Sequence, residues 1–303
     1  LATFVPVLRR FTCRGSGGTL SARYCYSIWL RHLVKAHEAG ALRSFAHIAE
    51  IGPGDSLGVG LAAILSGTKS YYAFDVKAHA NKDRNLDVLE ELILLFSRRE
   101  PIPDEAEFPL VYPRLSQYDF PRDVLTEELL HESLKPERLT HIWNALRKEN
   151  AKENQIQIRY VSPWYDASVI QPNTVDMILS QAVLEHVDNL PETYSALYAW
   201  LKPGGIMSHT IDLKCHGLTR DWNGHWAVND FVWKLVRGTR PYLINRMPYS
   251  THFNEMIKAG FRIVNEAKRE AASLPRKFLA SRFRALIDDD LRTSGVFIQA
   301  VKM

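Results

Sequence analysis

The chain has 303 residues, more than one average domain but within the range of a single elaborated α/β domain. With 46% hydrophobic and 24% charged residues it reads as globular, with enough apolar side chains for a sizeable core. A formal net charge of +4 is too mild for a nucleic-acid binder, which shows a denser basic stripe, and fits an anionic substrate or peripheral membrane contact.

Three cysteines (Cys13, Cys25, Cys215) are too few and too scattered for a disulfide framework or a zinc knuckle, so a reducing cytoplasm is the expected compartment. No run of about eighteen apolar residues is present, so no spanning helix is expected. The start, LATFVPVLRR, lacks an initiator Met and a long apolar core with a small-residue cleavage site. It reads as a trimmed or disordered-flanked terminus and not as a signal peptide.

Residues 23–41 carry the period of an amphipathic helix, with Tyr24, Ile28 and Leu33 on the apolar face and Gly40 near the end. They make residues 1–44 an N-terminal helical segment. The run FAHIAEIG then ends on Glu50, and Gly52, Gly54 and Gly58 follow before apolar residues resume. That is a buried strand turning sharply into a helix, here over residues 57–66. A second strand, SYYAFDV, ends at Asp75 and completes a βαβ unit.

Residues 77–155 break the alternation. They hold helical patterns such as LDVLEELILLFSRRE and PERLTHIWNALRKEN, separated by proline-rich connectors. The segment far exceeds an ordinary crossover and reads as a helical insertion between the second and third strands, forming a cap. Strand signals resume in IQIRYVS, VDMILSQ, GIMSHTID, FRIVNEA and GVFIQAVKM. Between them, VLEHVDNLPETYSALYAWLKPGG reads as a helix opened by Glu185-His186 and ended by Pro203 and two glycines. Residues 45–76 and 156–303 then form the core, a doubly wound, Rossmann-like α/β sheet.

Ligands of such sheets bind beyond the carboxyl ends of the strands. Those ends carry Glu50-Ile51-Gly52-Pro53-Gly54, Asp75, Ser180-Gln181 and Asp212. Asp75 lies about twenty residues past the glycine loop, where an acid takes both hydroxyls of a ribose. Glu50 and Asp55 bracket the loop with no Lys or Arg between them. An acid about 5 Å from a unit anion costs roughly 3 kcal/mol at an effective dielectric of about 20, and attracts a cation by as much. That sign favours S-adenosylmethionine, with its ammonium and sulfonium, over the pyrophosphate of NAD. A Walker-type loop is excluded because GPGDSLG has no following Lys-Ser/Thr.

As a set, EIGPGDSLG, the strand ending at Asp75, VDMILSQAVLEHV and LKPGGIM resemble the successive motifs of class I S-adenosylmethionine-dependent methyltransferases, over residues 45–76 and 159–207. The resemblance implies a seven-stranded sheet and S-adenosyl-L-methionine as cofactor. It also implies that Glu50, Gly52 and Gly54, with Pro53 in the same loop, line the methionine part. Asp75 would hold the ribose, and Ser180 and Gln181 would border the sulfonium. Where that family often has an acid and a small residue after the third strand, this chain has Val161-Ser162-Pro163-Trp164, so Ser162 or Trp164 would meet the adenine. A looser similarity runs from MSHTIDLKCH through DWNGHW to INRMPYSTHFNEMIKAGF. It is to methyltransferases of glycan and other polar-metabolite pathways, and it points to a small-molecule or glycan acceptor.

Methyl transfer to an alcohol needs a general base. Asp212 and His216, just past the strand that follows Gly205, are the expected pair, and His209 is a third candidate on the opposite face by strand alternation. The pattern His-x-x-Asp-x-x-x-His could also hold a divalent metal gripping a sugar diol, but no metal ligands are assigned. His186, Trp222, Asn223, His225 and Trp226 are the expected acceptor contacts, with a core-packing role for the aromatic run as the alternative. The basic segment from Lys268 through Arg269, Arg276, Lys277, Arg282 and Arg284 reads as a solvated helix face or a phosphate or membrane contact. Two other functions stay open: N- or C-methylation of a small molecule, and a non-catalytic nucleotide-binding module. A nicotinamide oxidoreductase is disfavoured by the acids around the loop.

Overall fold

The computed structural model describes residues 18–148, 155–164, 167–240 and 243–303. The opening LATFVPVLRR and Cys13 lie outside the described residues. Helix α1 (Ala22–Glu38) starts at Ser21, whose hydroxyl accepts the Tyr24 N–H. Ile28 and Leu33 are fully buried, as the helical period requires, and Tyr24 is half-buried. Strand β1 (His47–Ile51), helix α2 (Gly58–Leu65) and strand β2 (Ser70–Phe74) then form the expected βαβ unit.

Helices α3 (Lys82–Arg98), α4 (Glu127–Ser133) and α5 (Pro136–Arg147) follow before β3 (Gln157–Val161). The rest of the chain runs β4 (Val175–Gln181), α6 (Leu190–Trp200), β5 (Leu201–Asp212), α7 (Asp230–Arg237), α8 (Tyr249–Lys258), β6 (Phe261–Glu270), α9 (Asp288–Arg292) and β7 (Thr293–Lys302).

The seven strands lie in the order β3-β2-β1-β4-β5-β7-β6. Strands β1 to β5 pair in parallel, and β7 runs antiparallel between β5 and β6. The chain reverses its direction of travel across the sheet between β1 and β4, so a crevice opens at their carboxyl ends. Alternation along each strand divides the core in two. Ile48, Tyr71, Met177 and Ile206 face α1 and α2, while Ala49, Phe74, Ile178 and Met207 face the layer that contains α6 and α8.

Where described, residues 77–155 hold three helices, α3 to α5, with a long non-helical connector after α3, and these helices do not stand apart from the core. Leu89, Leu92 and Phe96 of α3 and Ile142 of α5 are fully buried in one apolar cluster with α1 and α2. The connector that follows α3 is tied down by Arg31 of α1, whose side chain is fully enclosed. Arg31 donates to the carbonyls of Pro103 (2.7 Å), Val111 (3.1 Å) and Pro113 (3.0 Å), and its guanidinium lies over the Tyr118 ring. That anchor carries residue 112 back to the sheet. The Tyr112 carbonyl accepts hydrogen bonds from Gln181 Nε2 and Thr210 Oγ1, at the carboxyl ends of β4 and β5.

Two local expectations are corrected. Glu185-His186 sits in a separate 3-10 turn (Leu184–His186) and does not open a helix; α6 begins at Leu190 behind the Asn189 cap. That helix ends at Trp200, and Pro203 with its two glycines lies inside β5, where the β4–β5 register shifts. The basic segment is likewise no continuous helix. Lys268 and Arg269 belong to β6, two short 3-10 turns follow, and Arg276 and Arg282 pair with Asp288 and Asp230.

Replacing Leu92 with Ala tests how far the insertion belongs to the core. The variant should lose about 2–5 kcal/mol of stability in urea unfolding. A separable cap would leave the midpoint unchanged.

Candidate active site

The loop after β1 depends on two glycines. Gly52 and Gly54 have φ of +70° and +77°, values that side chains strongly disfavour. A Cβ on Gly52 would also fall 2.5 Å from Val183, in the loop after β4. The two loops therefore touch across the point where the sheet reverses. Gly54 lies against Thr19, whose hydroxyl accepts the Asp55 N–H (3.0 Å) while its carbonyl accepts from Ser56 Oγ. This contact of Thr19 with the loop was not identified from the sequence; nothing in its local pattern marks it.

Glu50 behaves differently from the expectation that it lines the loop as a free charge. It lies on the α1–α2 face of β1, is 3% exposed, and accepts a hydrogen bond from Tyr71 Oη. Burial pushes its carboxyl up to about 7, well above the usual carboxylate range. Asp75 stands at the end of β2, accepts the Lys77 N–H (3.3 Å), and is raised above the usual carboxylate range by burial. The chain after β3 folds back over it. Trp164 donates its N–H to the Asp75 carbonyl (3.2 Å), and its ring packs on Phe74 and Trp200. Ser162 lies on the same return. Asp55 Oδ2 is buried without a hydrogen-bond partner at the same edge.

At the end of β4, Gln181 is half-buried and is held by the Tyr112 carbonyl and by His32 Nε2 (3.1 Å). Ser180 and His209 face the other way. They are register partners, both fully buried, and Ser180 Oγ lies 2.8 Å from His209 Nδ1. Burial lowers the His209 imidazole to about 3. The expectation that His209 acts as a base and Ser180 borders a ligand is corrected, because strand alternation turns both into the core.

The aromatic run is corrected for a similar reason. Trp226, Asn223 and His225 are fully or almost fully buried in a small satellite core with Leu279 and Phe283. Trp226 Nε1 donates to the Arg246 carbonyl, Trp222 Nε1 to the Ala272 carbonyl, and Asn223 Oδ1 accepts the Leu274 N–H. These bonds tie loops together, while Asn223 Nδ2 and His225 Nδ1 are buried without a hydrogen-bond partner.

Asp212 and His216 do come together, with His216 Nε2 3.7 Å from Asp212 Oδ2. Glu185 joins them. It is 2% exposed, its Oε1 lies 3.9 Å from His216 Nε2, and burial pushes its carboxyl well above the usual range. The His186 ring packs edge-on against His216, centroids 5.1 Å apart. Arg269 reaches Asp212 (3.5 Å) from β6 across the intervening strand β7. It passes over Gly295, where a Cβ would sit 2.0 Å from its guanidinium, and stacks on the Tyr112 ring. The sequence reading missed Glu185 in this role, Arg269 and Tyr112, because 27 residues or more separate each from Asp212.

A family model described as a methyltransferase domain matches residues 36–265. No curated protein matches the sequence. Among solved structures, the chain is similar to an S-adenosylmethionine-dependent methyltransferase from Methanosarcina mazei, at 12% identity and a TM-score of 0.45, covering 87% of this chain and 96% of that one. A second, from Mesorhizobium loti, is 12% identical with a TM-score of 0.41 over 88% of this chain and 96% of that one. A third, phosphoethanolamine N-methyltransferase 2 from Haemonchus contortus in complex with S-adenosylmethionine, is 15% identical with a TM-score of 0.42. That match covers 90% of this chain and 52% of that one.

The buried state of His209 has a consequence for acid stability. The unfolded imidazole takes up a proton below about pH 6.5, whereas the folded one waits until about 3. The folded state therefore loses stability as pH falls through that window, by up to about 1.4 kcal/mol per pH unit for this residue. Urea midpoints between about pH 7 and pH 5 should fall more steeply for the wild type than for His209→Gln. Equal slopes would show that His209 is reachable by water.

Proposed function

Since the chain belongs to the methyltransferase-domain family, we propose that its methyl donor is S-adenosyl-L-methionine and its acceptor an oxygen of a small polar or glycan-type molecule. The residues present fit the donor. The bare α-carbons of Gly52 and Gly54 leave backbone open to a close ligand, Asp75 offers a carboxylate at the end of β2, and the unpartnered Asp55 oxygen suits an ammonium or a hydroxyl. Trp164 and Ser162 flank the expected adenine side. When bound, S-adenosylmethionine supplies a methyl carbon made electrophilic by the sulfonium.

The observation that carries the acceptor reading is the convergence of Glu185, His186, Asp212 and His216 at the rim beyond β4 and β5. That rim adjoins the glycine loop through the contact of Gly52 with Val183. The chain's own work there is to align an acceptor oxygen for in-line attack and to remove its proton. Orientation contributes up to about 7–11 kcal/mol and proton removal roughly 10²–10⁴ in rate. The connector through Tyr112 closes this side and serves as the cap, and the cytoplasm remains the proposed compartment, since Cys25 and Cys215 are free and buried. Among the described residues no helix is long and apolar enough to cross a membrane.

The same two acids favour a cationic amine as the second reading, in which the nitrogen is methylated. A panel of sugars, nucleotide sugars, phenols and amines separates the readings by mass spectrometry of the product. Cofactor binding with no transfer to any of them would favour a non-catalytic module.

Two substitutions test the two halves. Asp75→Asn should weaken calorimetric binding of S-adenosylhomocysteine at least about tenfold, since charge-assisted hydrogen bonds contribute about 1.5–3 kcal/mol each. Unchanged affinity would reduce Asp75 to a strand-end cap. His216→Ala, at an exposed position, should keep that binding and lower turnover by roughly 10²–10⁴ once an acceptor is in hand. Normal turnover would remove the rim from the chemistry.

A further inference from the structure

Glu185 sets an unusual electrostatic problem. Its carboxyl group is 2% exposed, and neither oxygen has a hydrogen-bond partner. A buried carboxylate left this way is strongly unfavourable unless a proton or a cation compensates it. The turn that bears it is nonetheless held firmly. Asn245 donates its side-chain amide to the carbonyls of Leu184 (2.9 Å) and Val187 (2.7 Å), and its backbone N–H to the Glu185 carbonyl (2.6 Å). The fold therefore fixes the carboxylate in position and leaves its oxygens unsatisfied.

What faces those oxygens is a set of further donors. One atom each from Glu185, His186 and His216 can be chosen so that all three lie within 4.8 Å of one another. Three ligands about 2.2 Å from one cation lie roughly 3–4 Å apart, and Glu185 Oε1 already stands 3.9 Å from His216 Nε2, so a contraction of the set closes it. His216 stands on an exposed loop at a left-handed φ of 50°, where such a contraction meets little resistance. Asp212 Oδ2 sits 3.7 Å from His216 at the outer side of the cluster.

We propose that Glu185, His186 and His216 form a binding site for one divalent first-row transition cation, with Asp212 at its margin and the remaining positions open to oxygens of the acceptor. Two imidazole nitrogens with a carboxylate suit manganese, iron, cobalt or zinc better than magnesium or calcium, which prefer all-oxygen shells. Three protein ligands leave positions free, as a site that binds substrate requires. A pair of neighbouring hydroxyls fits two such positions. This use of the site rests on the reading of the rim as the acceptor side. The pattern His209, Asp212, His216 does not form such a set, because His209 is turned into the core.

The test is a titration of the metal-free protein with Mn2+, followed by the loss of the free-ion signal in electron paramagnetic resonance. The wild type should take up one ion per chain, and Zn2+ should displace it. Glu185→Gln and His216→Ala should each weaken uptake at least about tenfold. His216 is exposed, so its variant reports on ligation even if Glu185→Gln unfolds the chain. Asp75→Asn, in the donor half, should leave uptake unchanged. Absence of saturable Mn2+ uptake, or uptake indifferent to His216→Ala in a folded protein, overturns the site. S-adenosylhomocysteine binding is measured on the same samples. Intact nucleoside binding without Mn2+ uptake rejects the cation site alone, and Mn2+ uptake without nucleoside binding upholds the site while rejecting the donor reading.

Discussion

The reversal of strand order between β1 and β4 is the constraint on which the rest of this structure depends. Two parallel strands whose connections leave in opposite directions cannot have their carboxyl ends covered by the same helix, so a crevice opens there. Gly52 and Val183 meet across it, and the ends of β2, β4 and β5 deliver Asp75, Gln181 and Asp212 to its rim. A side chain on Gly52 would push the two loops apart. The glycine thus serves two needs at once: a left-handed turn and the closeness of the loops.

Around that crevice the fold uses long cationic side chains as struts. Arg31 gathers three carbonyls of the connector after α3, which lets Tyr112 reach back to Gln181 and Thr210. Arg269 spans β7 over Gly295 to meet Asp212, and its guanidinium rests on the Tyr112 ring. The two devices meet at Tyr112, so the insertion and the β5–β7–β6 edge are coupled through one aromatic side chain. A guanidinium suits both places, because it donates in a plane and stacks on rings while remaining charged when enclosed.

The buried acids divide by what satisfies them. Glu50 has Tyr71 beside it and is absorbed into the fold, whereas Glu185 has its turn clamped by Asn245 and its oxygens left unsatisfied. Both are raised by burial, yet only the second stands among other groups able to bind a ligand. Perturbed acids mark functional sites only when geometry agrees, and here it separates two residues that desolvation alone treats alike.

Much of this was legible in the linear chain because it rests on local physics. The period of apolar residues gave α1, the glycine loop and the strands, and the alternation of strands with helices gave the doubly wound sheet. Asp75 and Asp212 do stand at strand ends, and Asp212 does approach His216, because those positions follow from strand boundaries that the sequence itself marks. What tertiary structure alone decided was which side chains lie inside. His209, Trp226, Asn223 and His225 look as suited to chemistry as their neighbours, but packing places them in the core. Glu185 reaches His216, Arg269 reaches Asp212, and Thr19 covers Gly54 only because distant segments are brought together. Sequence spacing records the direction a side chain takes from its own strand or helix; which partner meets it there depends on how the layers close, and no local pattern carries that information.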